Sequence, residues 1–130
     1  MSDKPNDQLR SALLHLHREL LTAQVMEVEK ATGRTMTPND QLAAALQDPR
    51  FLWLRELSSL LALLDAEAAA KPDGPIPEGP PALEQIETLL NPPDPDTSFG
   101  RRYLQELQNN PASVMAHRDV TALLPSDAES

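Results

Sequence analysis

Between Asp48 and Ala70 the chain reads DPRFLWLRELSSLLALLDAEAAA, its densest apolar segment. Asp48 is suited to cap a helix start, because its carboxylate can accept a hydrogen bond from an amide of the first turn. Pro49 suits the first helical position, where its missing N–H costs nothing. From there Trp53, Leu57, Leu60, Leu61, Leu64 and Ala68 recur at three- and four-residue steps and share one face. Leu52 and Leu63 fall on one flank, and Phe51 and Ala62 toward the far side. Arg55, Glu56, Ser58 and Asp65 break the remaining surface. A helix this apolar around its circumference is central, touched by neighbours on several sides.

The flanking segments read as helices that pack around it. A first long helix starts at Asn6 or Asp7 and runs to Ala31, closed by Gly33 in the left-handed conformation. Leu9, Leu13, Leu16 and Leu20 form one stripe on it, and Leu14, Leu21, Val25 and Val28 a second, which calls for two neighbours. Thr37, Pro38 and Asp40 open a short helix to Gln47, with Leu42, Ala45 and Leu46 directed inward. Residues 71–81, KPDGPIPEGPP, hold five prolines and two glycines and exclude both helix and central strand. A short helix follows from Pro81 to Leu90. Another starts at Thr97 with Phe99, Tyr103, Leu104 and Leu107 inward, and a last one runs from Pro111 to Leu124. Helices this short are marginal alone, so Ile86, Leu89, Phe99, Tyr103 and Leu107 should dock on the central helix. The expectation is an all-α, irregular bundle of about six helices, two long and four short. It forms a single domain over 1–130, with frayed tails at 1–5 and 125–130 and an internal linker at 71–81.

Composition narrows function mostly by exclusion. There is no cysteine, so thiolate metal sites, disulfides and cysteine nucleophiles are ruled out. The first ten residues, MSDKPNDQLR, carry no apolar signal-peptide core, and no apolar run approaches the ~20 residues of a membrane span. A cytoplasmic protein with no membrane partner is expected. Eleven basic and twenty acidic residues give a net charge of −9. Residues 71–130 carry the larger share, four basic against ten acidic, and the largest basic cluster is the pair Arg101–Arg102. Such a surface repels phosphate backbones.

No catalytic constellation assembles, so the reading leans away from an enzyme, with no catalytic, cofactor-binding or metal-ligating residue assigned. His15 and His17 point to different sides of a helix; His15 with Glu19 supplies two ligands where zinc needs three or four. His17 falls between the two leucine stripes and reads as a half-buried imidazole bonded to a carbonyl or carboxylate, or as a pH-sensitive group. His117, beside Arg118 and Asp119, reads as a surface residue. Ser58 and Ser59 sit inside an apolar helix rather than at a nucleophile elbow. Asp94 and Asp96 read as a solvated acidic turn. Arg50 and Arg55 bracket the aromatic pair Phe51 and Trp53, where an arginine can cover the aromatic rim or bind an anion. Arg101 and Arg102 read as partners of the acidic linker. His17, Arg50, Trp53, Arg55 and Tyr103 are therefore the candidate ligand or partner contacts.

Three patches belong together: LRSALLHLHRELL, DPRFLWLRELSSLLALLD and FGRRYLQELQNNPASVMAHRDV. Their combination resembles a family of small, uncharacterised all-helical proteins from bacteria. The most specific part is Asp48, Pro49, Phe51, Trp53, Leu54, Arg55, Leu57 and Ser58. The resemblance implies an all-α fold and a bacterial cytosolic setting, and it transfers no activity. The leading expectation is a non-enzymatic protein–protein interaction or self-associating module with no cofactor. The alternative is a small-molecule-binding or enzymatic bundle with a polar pocket near His17, Trp53, Arg55 and Tyr103. A regulator of a nucleic-acid machine acting by acidic mimicry comes third.

One outcome follows from the charge alone. Random DNA or RNA should show no salt-sensitive binding to this protein, and retention on a nucleic-acid column at physiological salt would overturn that expectation.

Overall fold

The computed structural model describes residues 5–69 and 79–124. Residues 1–4 of the expected tail at 1–5, the tail at 125–130, the end of the central helix at Ala70 and linker residues 71–78 lie outside the described residues; Pro5, expected in the tail, opens the first helix. Within them the chain is all-α: α1 (Pro5–Thr32), α2 (Pro38–Gln47), a 3-10 helix (Pro49–Leu54), α3 (Arg55–Ala69), α4 (Ala82–Leu90), α5 (Ser98–Asn109) and α6 (Pro111–Thr121).

Local chemistry sets most of the boundaries. Gly33 takes φ of 74° and ends α1, its N–H donating to the Glu29 carbonyl at 2.8 Å. At α2 a reciprocal capping box forms, in which the Thr37 hydroxyl accepts from the Asp40 N–H and the Asp40 carboxylate accepts from the Thr37 N–H. Thr97 and Asn110 cap α5 and α6 through their side chains. Pro81 caps α4 without a side-chain acceptor. The acceptor comes from elsewhere: the Glu67 carboxylate of α3 takes the Ala82 N–H at 2.8 Å and so ties the start of α4 to α3.

The central segment departs from the single helix expected over Asp48–Ala70. Asp48 does cap it, accepting from the Arg50 N–H, but the first turns are 3-10 and α-helix begins only at Arg55. With three residues per turn, side chains three apart eclipse one another. Phe51 and Leu54 therefore face the core together, and the buried row continues through Leu57, Leu60 and Leu64. Phe51, expected on the far side, is 1 % exposed, whereas Trp53 is only partly covered.

Packing runs from both halves of the chain into one apolar cluster. α6 lies along α1, with Ser113, Ala116 and Val120 buried. α3 contacts α1 and α4, and α5 contacts the 3-10 helix and α6. Leu9, Leu13, Leu16 and Leu20 of α1 are all buried, as are Ile86, Leu90, Phe99 and Tyr103. Of the second α1 stripe, Val25 and Val28 are buried and Leu14 and Leu21 half-buried. Gly100 allows a close approach at the start of α5: a Cβ there would collide with the Asp94 carbonyl.

One inward assignment and one helix end differ from expectation. On α2 the buried residue is Ala44, while Leu42 and Leu46 face outward at 62 % and 57 % exposed. α2 rests on the 3-10 helix, and a small residue is what that close contact admits. On α6, helix ends at Thr121 rather than Leu124, and Val114, Met115 and Leu123 are exposed.

The buried row through Phe51 sets a ranking. Phe51→Ala should cost about 3–5 kcal/mol, the range for a fully buried aromatic, and Trp53→Ala measurably less, by denaturant unfolding of each variant. Equal losses, or a larger loss at Trp53, would show that the 3-10 register is wrong.

Candidate functional site

The richest polar arrangement lies where α1, the 3-10 helix and α5 meet. α1 brings Gln24 and Glu27, three residues apart on one face, and the Gln24 amide N–H donates to the Glu27 carboxylate at 3.0 Å. Gln24 is only 3 % exposed, so its amide oxygen needs partners. It has two: the Trp53 indole N–H at 3.0 Å and the Arg102 guanidinium at 2.9 Å. Arg102 also donates to Glu27 at 2.8 Å and stands 3.5 Å from Glu106, while its guanidinium carbon lies 4.9 Å from the centre of a Trp53 ring. Glu106, 7 % exposed, accepts in addition from the Asn110 side chain at 3.2 Å.

An aromatic run leads inward from that point. Trp53 and Phe99 have ring centres 5.9 Å apart, Phe99 and Tyr103 stack at 5.3 Å, and Tyr103 meets the His117 ring at 5.5 Å. The Tyr103 oxygen and His117 Nδ1 are 2.7 Å apart. Burial raises the Tyr103 pKa far above the phenol range and lowers that of His117. Near neutral pH a protonated phenol therefore shares a hydrogen bond with the Nδ1 of a neutral imidazole. His117, expected at the surface, is half-buried here.

The five candidate residues are dispersed over four places. Trp53 and Tyr103 share Phe99 as a neighbour. His17 lies against α3, its Nε2 2.9 Å from the Ser58 hydroxyl, which in turn donates to the Leu54 carbonyl at 3.3 Å. That hydroxyl proton is directed back into its own helix, so the pair reads as an interhelical tie rather than a nucleophile and its base. Arg55 donates to the Leu46 carbonyl at 2.9 Å and closes the C-terminal end of α2. Arg50 pairs with Asp48 at 2.8 Å, which holds the Asp48 carboxyl below its ordinary pKa.

A small pocket of about 190 Å³ opens beside the polar junction, walled by Gln24, Glu27, Val28, Ala31, Arg50 and Arg102. Both arginines in it already face carboxylates. Arg102, read from sequence as a partner of the acidic linker, bonds to α1 instead; its only sequence signal was a basic residue four before Glu106 and next to Tyr103. Among the described residues, no group of three or more His, Asp or Glu is placed to hold a metal ion, and no helix is long and apolar enough to cross a membrane. Comparison with protein-family models, curated proteins and solved structures finds no match to this chain.

His17 and His117 give the fold a pH dependence whose sign is fixed. Burial lowers both pKa values from 6.5, so the unfolded chain binds more protons just below that pH. Their contribution is complete above about pH 6.5 and is lost as pH falls through the lower folded-state values. Melting temperature should fall as pH drops from 7 toward 5, and His17→Gln with His117→Gln should flatten that fall. An unchanged slope in the double variant would show that neither histidine is coupled to folding.

Proposed function

We propose that this chain is a non-enzymatic protein–protein interaction or oligomerising module that works in the cytoplasm and binds neither nucleic acid nor membrane. The outer face of α2 carries this reading. Leu42 and Leu46 stand one turn apart on it, both more than half exposed. Ala43 is exposed beside them, and Leu52 of the adjoining 3-10 helix is exposed as well. The one charged residue of α2 is Asp40, whose carboxylate is held in the capping box. An uncharged leucine face is out of keeping with a chain of net charge −9 unless something covers it. Covering each leucine is worth about 1.5–3 kcal/mol, enough for two of them to anchor a contact.

α2 is also held as a preformed element. Its start is fixed by Thr37 and Asp40, and its end by Arg55 on the Leu46 carbonyl. Little ordering is then left for the moment of binding. Arg55 enters the proposed surface as the residue that holds it in place.

The alternative, a small-molecule-binding or enzymatic bundle, draws on the pocket at Gln24, Arg50 and Arg102. Its weakness is that His17, Arg55 and Tyr103 are engaged outside that pocket's wall. The likeness of Asp48–Ser58 to small helical bacterial proteins brings no activity that would favour it.

Leu42→Glu with Leu46→Glu tests the reading, because exposed positions change stability by only about 0.5 kcal/mol. The double variant should melt with the parent yet lose concentration-dependent self-association in sedimentation. A photo-crosslinking residue placed at Leu46 should form a protein adduct in cells, and Leu42→Glu should abolish it. A strictly monomeric parent that forms no adduct from position 46 would overturn the proposal.

A further inference from the structure

A second recessed surface lies away from α2, between α4 and the turn that leads into α5. It is a cleft of about 560 Å³, within the range of ligand pockets. One wall is the outer side of α4, with Glu84 and Thr88 one turn apart and Gln85 and Leu89 one turn apart. The other is the turn carrying Asp94 and Thr97, with Pro80 completing the cleft. Its surface is largely apolar.

The opposite wall is held firmly. The Asp94 carbonyl accepts from the Thr97 N–H and hydroxyl, at 3.1 and 2.9 Å. Asp94 Oδ1 accepts from the Asp96 N–H at 2.9 Å. Gly100 backs onto the same carbonyl, leaving no space for a side chain between turn and helix.

The polar groups of the cleft are unbalanced. Most of its side-chain donors are turned into the fold: the Thr88 hydroxyl to the Glu84 carbonyl at 3.0 Å, the Thr97 hydroxyl to Asp94, and one N–H of the Gln85 amide to the Pro80 carbonyl at 2.8 Å. Acceptors remain: the Gln85 amide oxygen and the carboxylates of Glu84 and Asp94. Neither carboxylate forms an ion pair among the described residues. Between Gly79 and Gly100 the sequence holds four acidic residues, Glu84, Glu87, Asp94 and Asp96, and no lysine or arginine. An occupant must therefore supply positive charge, hydrogen-bond donors and an apolar side chain.

We propose that this cleft docks a short basic segment of a partner protein, an arginine next to a leucine-like residue. Leu89 and Pro80 receive the apolar side chain. Glu84 and Asp94 receive the guanidinium, whose five N–H donors match acceptor-only carboxylates. The Gln85 amide oxygen takes a main-chain N–H of the segment. The opposite signs of cleft and segment speed their encounter and make it sensitive to salt. This site is separate from the α2 face and stands whether or not that face binds anything.

The test titrates the full chain, labelled with ¹⁵N, with the peptide acetyl-Leu-Arg-Arg-Leu-amide. The controls are the same peptide with glutamates for the arginines, and free argininamide. The arginine peptide should shift the amide signals of Gln85, Thr88, Leu89 and Thr97 and bind less tightly as salt rises. Glu84→Gln with Asp94→Asn should weaken it about tenfold, the size expected for a close charge pair. Asparagine at 94 keeps the acceptor for the Asp96 N–H, and Thr88→Lys on the exposed wall is a second variant that should lose binding. Equal binding of the glutamate peptide, unchanged binding in both variants, or shifts confined to other helices would overturn the proposal. Argininamide binding as tightly as the peptide would also overturn it, since the cleft would then be a small-cation site.

Discussion

Arg102 is the group on which the rest of the arrangement depends. Its guanidinium satisfies the amide oxygen of Gln24, pairs with Glu27, lies beside Glu106 and covers a face of Trp53. Those contacts belong to α1, the 3-10 helix and α5, so one side chain fixes three elements against each other. The energetics are asymmetric. Forming such a partly buried pair gains little net free energy, because the charges leave water. Removing the cation is expensive, because the covered Glu106 carboxylate would keep only the neutral Asn110 donor and the Gln24 oxygen only the Trp53 indole. Lysine at this position would keep the charge but lose the flat surface over Trp53 and the fork that reaches two acceptors.

The junction extends into the core through rings. Phe99 stacks on Tyr103, and the Tyr103 hydroxyl is hydrogen-bonded to His117 of α6, which itself lies along α1. α5 is thus held at one end by charge and along its length by aromatic contact. α6 follows because the Tyr103 hydroxyl, fully buried, requires a hydrogen-bond partner. One buried hydroxyl close by has no such arrangement. Ser113 sits at 0 % exposure with its oxygen unpartnered, where its small size admits the close contact of α6.

Sequence reasoning reached what is decided locally. Thr37-Pro38-x-Asp40, Asp48-Pro49 and Gly33 mark helix ends through bonds made within a few residues, and each does so in the fold. What it misread depends on distant partners. Leu42 and Leu46 look inward by hydropathy, yet α2 packs chiefly on the 3-10 helix among the described residues, with Ala44 buried. Phe51 and Trp53 exchanged places because the period is three before Arg55 and 3.6 after it, and no residue in the stretch announces that change. His117 and Arg102 were undervalued for the same reason: their partners, Tyr103 and Gln24, are chosen by tertiary packing. Of the candidate contacts, His17 was legible as half-buried, though its partner is the Ser58 hydroxyl rather than a carbonyl or carboxylate.

Trp53 is the one tryptophan of the chain, and its indole is bonded to α1 through Gln24, covered by Arg102 and tilted against Phe99 of α5. Its light emission is therefore an internal gauge of how α1 and α5 are seated on the 3-10 helix. Separation from these neighbours would expose the indole to water and move its spectrum to the red, even while every helix stayed wound. Far-UV circular dichroism, which follows helix content, would register nothing in that case. The molecule thus carries its own means of telling loosened packing from lost secondary structure, with no added label.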